Sequence, residues 1–267
     1  MLSFRPFFIL LSAALASALN STLTQVTDAL VNNPTNIYFG DTPYAQLADE
    51  YANFIVVYPS TPNSDNCWDV SSTASLTRDG GGDSTGIASM VQYAKDTWGV
   101  PADKVFVTGT SSGGMMTNVL AATYPDVFAA GVVYSGVAAG CFASDSSTVD
   151  AWNSTCALGD AIGTSEQWAS IVHDMYPGYT GTYPRMQEYH GDADEWIFPQ
   201  NLEEEVKQWA GVFGYNANAP GQVQADAPSA GYTKSVYGES LQGILAEGVG
   251  HTVPVQGEED LRWFGII

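Results

Sequence analysis

The chain has 267 residues, 45% of them apolar, and 29 acidic side chains against 8 basic ones, for a formal net charge of −21. An apolar share of that size supports a full buried core and argues against disorder. The acid excess excludes the basic patches by which nucleic acid and anionic membranes are held, so neither is expected as a partner.

From the N-terminus, Arg5, the apolar run Phe7 to Leu15 and the small-x-small triplet Ala16-Ser17-Ala18 follow the order of a secretory leader. The run is too short to cross a bilayer. Residues 1–18 therefore read as a signal peptide, and residues 19–267, free of repeats and low-complexity linkers, as one domain of a secreted, extracellular protein. Asn20-Ser21-Thr22 and Asn153-Ser154-Thr155 are sequons for glycosylation in that compartment.

Tyr44 to Ala52 has helical spacing and runs into the short apolar strand Asn53 to Tyr58, which Pro59 ends. Ser84 to Trp98 reads as a helix, Lys104 to Thr108 as a strand, Met115 to Thr123 as a helix and Ala129 to Tyr134 as a strand. Arg185 to His190, Ser235 to Gly238 and Gln242 to Ala246 are later strands, with a helix over Leu202 to Phe213. Strands alternating with amphipathic helices predict an α/β fold with a mainly parallel sheet covered on both faces. Cys141 and Cys156 share one loop-rich stretch and are the natural pair in an oxidising compartment, which leaves Cys67 over.

Gly109-Thr110-Ser111-Ser112-Gly113 is a G-x-S-x-G motif lying between a predicted strand and a predicted helix. In that context it predicts a nucleophile elbow, a tight turn that lifts the Ser111 hydroxyl clear of the sheet. The backbone N–H of Ser112 then points at the oxyanion; Ser112 as nucleophile is the off-centre rival. A serine needs an imidazole to take its proton. In the α/β-hydrolase order, serine then acid then histidine, His251 is the base. His173, in a predicted helix, reads as structural or exposed, and His190, at a strand end, as structural. The loop His190-Gly191-Asp192-Ala193-Asp194-Glu195 supplies the acid, and spacing alone leaves Asp192 and Asp194 both open, with a slight preference for Asp194 deeper in the loop.

Tyr44-Ala45-Gln46-Leu47-Ala48, Cys67-Trp68-Asp69-Val70, Gly80-Gly81-Gly82-Asp83-Ser84 and the stretch Val107 to Gly113 carry a resemblance that continues through Tyr189-His190-Gly191, Gln208 to Tyr215 and Gly248 to Pro254. In order and spacing they resemble the fungal acetylxylan esterases of carbohydrate esterase family 1, related to feruloyl esterases and polyhydroxybutyrate depolymerases. The resemblance covers about Tyr44 to the C-terminus. It implies an α/β-hydrolase fold, Ser111 as nucleophile, Asp194 as acid, His251 as base, a Cys141–Cys156 disulfide, no cofactor, and action on acetylated plant xylan by a monomer.

The sequence departs from that family upstream. Members carry two further strands before the helix at Tyr44, the second ending in a His-x-Cys loop that supplies another oxyanion N–H and a cysteine. Here residues 33–43 run almost directly into the helix. The resemblance thus implies missing N-terminal strands, a partnerless Cys67, an exposed sheet edge and a weakened oxyanion site. An incomplete gene, a catalytically impaired carbohydrate-binding homologue and a feruloyl esterase are the alternative readings; a serine peptidase on this fold is disfavoured by the resemblance.

Trp68, Trp152 and Trp196 lie near the motifs and are the candidates for stacking on sugar rings, weighed against core packing. Trp152 and Trp196 are taken as substrate-binding, Trp152 first because it matches a family position beside the serine. Met115 and Met116 read as core. The histidines are scattered and Asp83 stands alone, so no metal site is expected. Gly80-Gly81-Gly82 lacks the Lys and Thr of a phosphate loop.

Overall fold

The computed structural model describes residues 40–63 and 65–267, and the backbone of 7–11. Eight strands form one sheet in the order β2-β1-β3-β4-β5-β8-β7-β6. They are β1 (Phe7–Leu11), β2 (Ile55–Val57), β3 (Val105–Thr110), β4 (Ala130–Tyr134), β5 (Arg185–Gly191), β6 (Gln222–Ala225), β7 (Tyr232–Gly238) and β8 (Leu241–Ala246). All pairings from β2 across to β8 are parallel. The pairings β8–β7 and β7–β6 are antiparallel. The helices are α1 (Tyr44–Tyr51), α2 (Asp83–Trp98), α3 (Ser112–Thr123), α4 (Ser154–Ala157), α5 (Ser165–Met175), α6 (Gln200–Phe213) and α7 (Gly257–Phe264). This is an α/β-hydrolase fold, as the alternation of patterns predicts.

Period-two alternation sorts the strand side chains between two cores. Val105 and Val107 of β3 and Val133 of β4 pack in one cluster with Val91 of α2, Met116 of α3, Val172 of α5 and Trp209 of α6. Phe106, Val132 and Tyr134 face the other way, onto Leu47 of α1 and Leu261 and Phe264 of α7. Helix α3 is buried along its whole length, its few polar side chains included, as befits a central helix. Trp68 is 2% exposed and belongs to the first core with Met115 and Met116.

The structure differs from the sequence reading at four places. Strand β6 and helices α4 and α7 were not foreseen. β6 is short and largely exposed and α4 is a single turn, so both leave a weak periodic signal, whereas α7 is amphipathic, with Leu261, Trp263 and Phe264 buried. More consequentially, Phe7–Leu11, read as the apolar centre of a leader, is an interior strand. Leu11 pairs with Gly109 on one side, and Phe7 to Ile9 pair with Ile55 to Val57 on the other. A short apolar run suits a leader and a strand buried on both faces equally, so periodicity cannot separate them. The edge expected beside β3 is therefore covered by β1. Arg5, residues 12–18 and the sequon at Asn20 lie outside the described residues.

Candidate active site

Strand β3 ends at Thr110 and α3 begins at Ser112, leaving one residue for the turn. Ser111 occupies it with φ 58° and ψ −124°, backbone angles that cost an L-residue of order 1–3 kcal/mol. The surroundings hold it there. Its N–H donates to the Tyr134 carbonyl at 2.9 Å, and its carbonyl accepts from Met115 N–H at 2.9 Å. Gly114 is required one turn on: a Cβ there would lie 2.8 Å from the Tyr134 carbonyl oxygen. The motif foretold the elbow, while the close helix–strand approach at Gly114 was not singled out.

His251 reaches Ser111 from the loop after β8. Its Nε2 lies 2.8 Å from Ser111 Oγ, and its Nδ1 lies 2.7 Å from Asp194 Oδ2. Two devices place that loop. Gly191 lets it cross the end of β5, because a Cβ there would stand 2.1 Å from the Val249 carbonyl oxygen. Asp192 accepts from the Gly248 N–H at 2.6 Å, and Ala193 N–H donates to the Val249 carbonyl at 3.0 Å. Asp192 thus clamps the histidine loop, and Asp194 is the carboxylate that meets the imidazole.

Asp194 is fastened on every side. Its Oδ1 accepts from the N–H groups of Trp196 and Ile197 at 2.9 and 3.0 Å. The buried His190 ring places Nε2 2.8 Å from the Ile197 carbonyl oxygen and 3.3 Å from Asp194 Oδ2. A carbonyl only accepts, so His190 Nε2 carries a proton and faces the carboxylate. Burial works against the charge on Asp194, but the bonds from His190, His251, Ile197 and Trp196 outweigh it and hold its carboxyl well below the usual range. His190 is structural, as expected, yet its structural work is to orient the acid. The only hint in the sequence was its place two residues before the acid loop's first carboxylate.

Ser112 opens α3, where first-turn N–H groups lack intrahelical acceptors. Its side chain is 6% exposed, and its hydroxyl makes no hydrogen bond of good geometry. The stretch Cys67 to Ser72 lies alongside. Asp69 there accepts from the N–H groups of Ser71, Ser72 and Asp150 and from the hydroxyls of Ser71, Ser72 and Ser75. Burial opposes its charge, but these donors bring its pKa down to about 2. Because Asp150 N–H bonds Asp69 and Ala151 N–H bonds Ser71 Oγ at 2.8 Å, the same cluster fixes the base of the Trp152 loop.

Trp152 is 62% exposed, edge-on to Phe142, and Trp196 is 71% exposed beside Asp194. Both are free to meet a ligand, whereas Trp68 is core. Cys141 and Cys156 form the disulfide, and Cys67 keeps a free thiol. Asn153, the second sequon asparagine, caps α4 by accepting from Cys156 N–H at 3.2 Å. Among the described residues no cluster of His, Cys, Asp and Glu could hold a metal ion, and no helix is long and apolar enough to cross a membrane.

The Esterase PHB depolymerase family profile matches residues 18–223. The chain belongs to this esterase family. Acetylxylan esterase A of Aspergillus awamori and that of Emericella nidulans are each 58% identical to the esterase over 228 residues, 85% of its chain and 75% of theirs. The solved acetyl xylan esterase from Aspergillus awamori superposes with a TM-score of 0.90 at 51% identity, covering 99% of this chain and 90% of that one. The esterase PE8, at 14% identity and a TM-score of 0.51, shares the fold alone. The esterase is thus a carboxylic ester hydrolase of the acetylxylan esterase type.

Proposed function

We propose that the esterase removes acetyl groups from xylan through Ser111, His251 and Asp194. The observation that carries this reading is the continuous hydrogen-bonded line from Asp194 Oδ2 through both nitrogens of His251 to Ser111 Oγ. His251 takes the serine proton as Oγ attacks the acetyl carbonyl, then returns it to the departing sugar hydroxyl. Water, deprotonated by the same imidazole, releases acetate and restores the serine. Asp194, held ionised by its four donors, fixes the tautomer and stabilises the imidazolium. The Ser112 N–H at the start of α3 receives the oxyanion.

Xylan as substrate is supported by the names of the relatives and by two exposed tryptophans able to stack on sugar rings, Trp196 beside Asp194 and Trp152. Secretion is supported by the charge, apolar run and small residues of 1–18, although the folded chain also uses Phe7–Leu11 as a strand; glycosylation at Asn20 and Asn153 follows from secretion. The deciding experiment is acetate release from acetylated xylan, with Ser111→Ala as control and a feruloyl ester as competitor substrate. Release abolished in the variant, and faster than feruloyl cleavage, is expected. Undiminished release by Ser111→Ala would overturn the assignment, and preferred feruloyl cleavage would overturn the substrate.

A further inference from the structure

Tyr134, the last residue of β4, bonds to the segments that carry both the nucleophile and the base. Its carbonyl accepts from the Ser111 N–H at 2.9 Å. Its hydroxyl accepts from the Gln256 N–H at 2.9 Å, a short way past His251 in the chain. A phenol carries a single proton, and with Gln256 as donor that proton goes to Asp260 of α7, whose Oδ1 and Oδ2 lie 2.8 and 2.9 Å away. Tyr44 of α1 donates to the same Asp260 Oδ2. The Tyr134 ring is held on its face as well: it is fully buried and stacks on Tyr189, with centroids 4.6 Å apart.

The Gln256 bond completes a bracket around the loop that carries His251. Asp192 and Ala193 hold Gly248 and Val249 before the imidazole, and Tyr134 holds Gln256 after it. Gln256 Nε2 donates to the Pro254 carbonyl at 2.9 Å, which braces the last stretch of the loop against the pinned N–H. Val253 is buried in the second core, but apolar contact is non-directional and fixes no distance. We propose that Tyr134 is a positioning residue of the esterase: its hydroxyl holds the His251 loop at bonding distance from the serine whose N–H its carbonyl receives. Tyr134 bonds to neither the Ser111 hydroxyl nor the imidazole, and it acts through the 2.8 Å contact between His251 Nε2 and Ser111 Oγ. The inference rests on the assignment of Ser111 and His251 as nucleophile and base.

Tyr134→Phe keeps the carbonyl and the stacked ring and deletes only the hydroxyl. Tyr44→Phe is the comparison, because it strips Asp260 of its other phenol and leaves the Gln256 bond in place. Each variant of the full chain is assayed for ester hydrolysis, with rates divided by the Ser111 sites that a fluorophosphonate titrates, so that unfolded chain does not count. Amide hydrogen exchange over 251–256 is read by mass spectrometry. For Tyr134→Phe we expect kcat to fall about 10- to 100-fold, the upper figure being the cost of a roughly 1 Å misplacement, with KM within about twofold of the unaltered chain. Exchange over 251–256 should quicken. Tyr44→Phe should lower Tm yet keep the kcat and the exchange of the unaltered chain. Should Tyr134→Phe fail to fold, Asp260→Asn is added to it and the double variant is compared with Asp260→Asn alone. A Tyr134→Phe kcat equal to that of the unaltered chain, or equal losses in the two Phe variants, overturns the proposal, since a purely structural role predicts one or the other. An unaltered chain that cleaves no ester overturns the triad reading instead, while exchange still decides whether Tyr134 holds the loop.

Discussion

Processing after Ala18 would remove β1 from the middle of the sheet, and the cost follows from the ladder. β1 shares five residue pairs with β3 and three with β2. At roughly one hydrogen bond per pair and about 1 kcal/mol net for each, the backbone bonds alone amount to about 8 kcal/mol. The whole stability of a domain is about 5–15 kcal/mol. β2 meets the sheet only through β1, so it loses its place altogether, and β3 is left with an open edge beside the elbow. The expectation is that a chain of residues 19–267 is aggregated or unfolds at much lower urea than the full chain, followed by tryptophan fluorescence. N-terminal sequencing of the protein recovered from a secreting host shows which form folds in use. A monomeric 19–267 chain with the urea midpoint of the full chain would refute this reasoning and leave residues 1–18 as a leader only.

Three further outcomes are expected. Asp194→Asn should lower kcat about 10⁴-fold with the fold retained, because an amide supports the wrong imidazole tautomer; a loss under tenfold would dissociate Asp194 from the chemistry. Asp69→Asn leaves several buried donors short of a carboxylate and should cost about 3 kcal/mol in urea unfolding, together with order in the Trp152 loop; an unchanged midpoint would show that the cluster is not what holds the loop. Stability should fall as pH rises from about 5 to 8. Burial pushes Glu188 up to about 8, raises its buried neighbour Glu205, and takes Asp260 up to about 7. These groups hold protons in the folded state that the unfolded chain releases from about pH 4 upward, so their contribution is complete in acid and lost through their folded pKa values. Asp69 and Asp194 act oppositely, losing their contribution as pH falls below about 4. Tm against pH should therefore peak near pH 4–5, roughly, and Glu188→Gln should flatten the neutral limb; a Tm rising from pH 5 to 8 would contradict the assignment.

What was legible in the sequence is what local chemistry dictates. A serine between glycines after a valine-rich strand has few structures to adopt, and Ser111 sits where the motif puts it. Asp192 and Asp194 illustrate the limit. Both lie in one loop with identical side chains, and only the return of the Val249–His251 segment across Gly191 decides which of them meets the imidazole. His190 was legible as structural but not as the donor behind Asp194, since that contact depends on how the loop folds back to Ile197. The pair Glu188 and Glu205 left no signal at all. Their sequence positions are ordinary, and they share an enclosure only because β5 and α6 close on Asn118, whose amide donates to Glu205 Oε1 at 2.9 Å.

The N-terminal segment shows the same limit from the other direction. Five consecutive apolar residues satisfy a translocation leader, and they satisfy a strand buried on both faces, because each asks only for apolar side chains over a short length. Nothing local distinguishes the two uses. The distinction lies 44 and more residues away, in whether Val105–Thr110 and Ile55–Val57 stand apart by one strand's width, and that spacing exists only once the sheet has assembled. The leader and the sheet therefore compete for Phe7–Leu11. A chain that delivers this segment to a signal peptidase gives up eight paired positions, five of them on its own nucleophile strand, and one that keeps it closes the sheet up to Gly109, two residues short of Ser111.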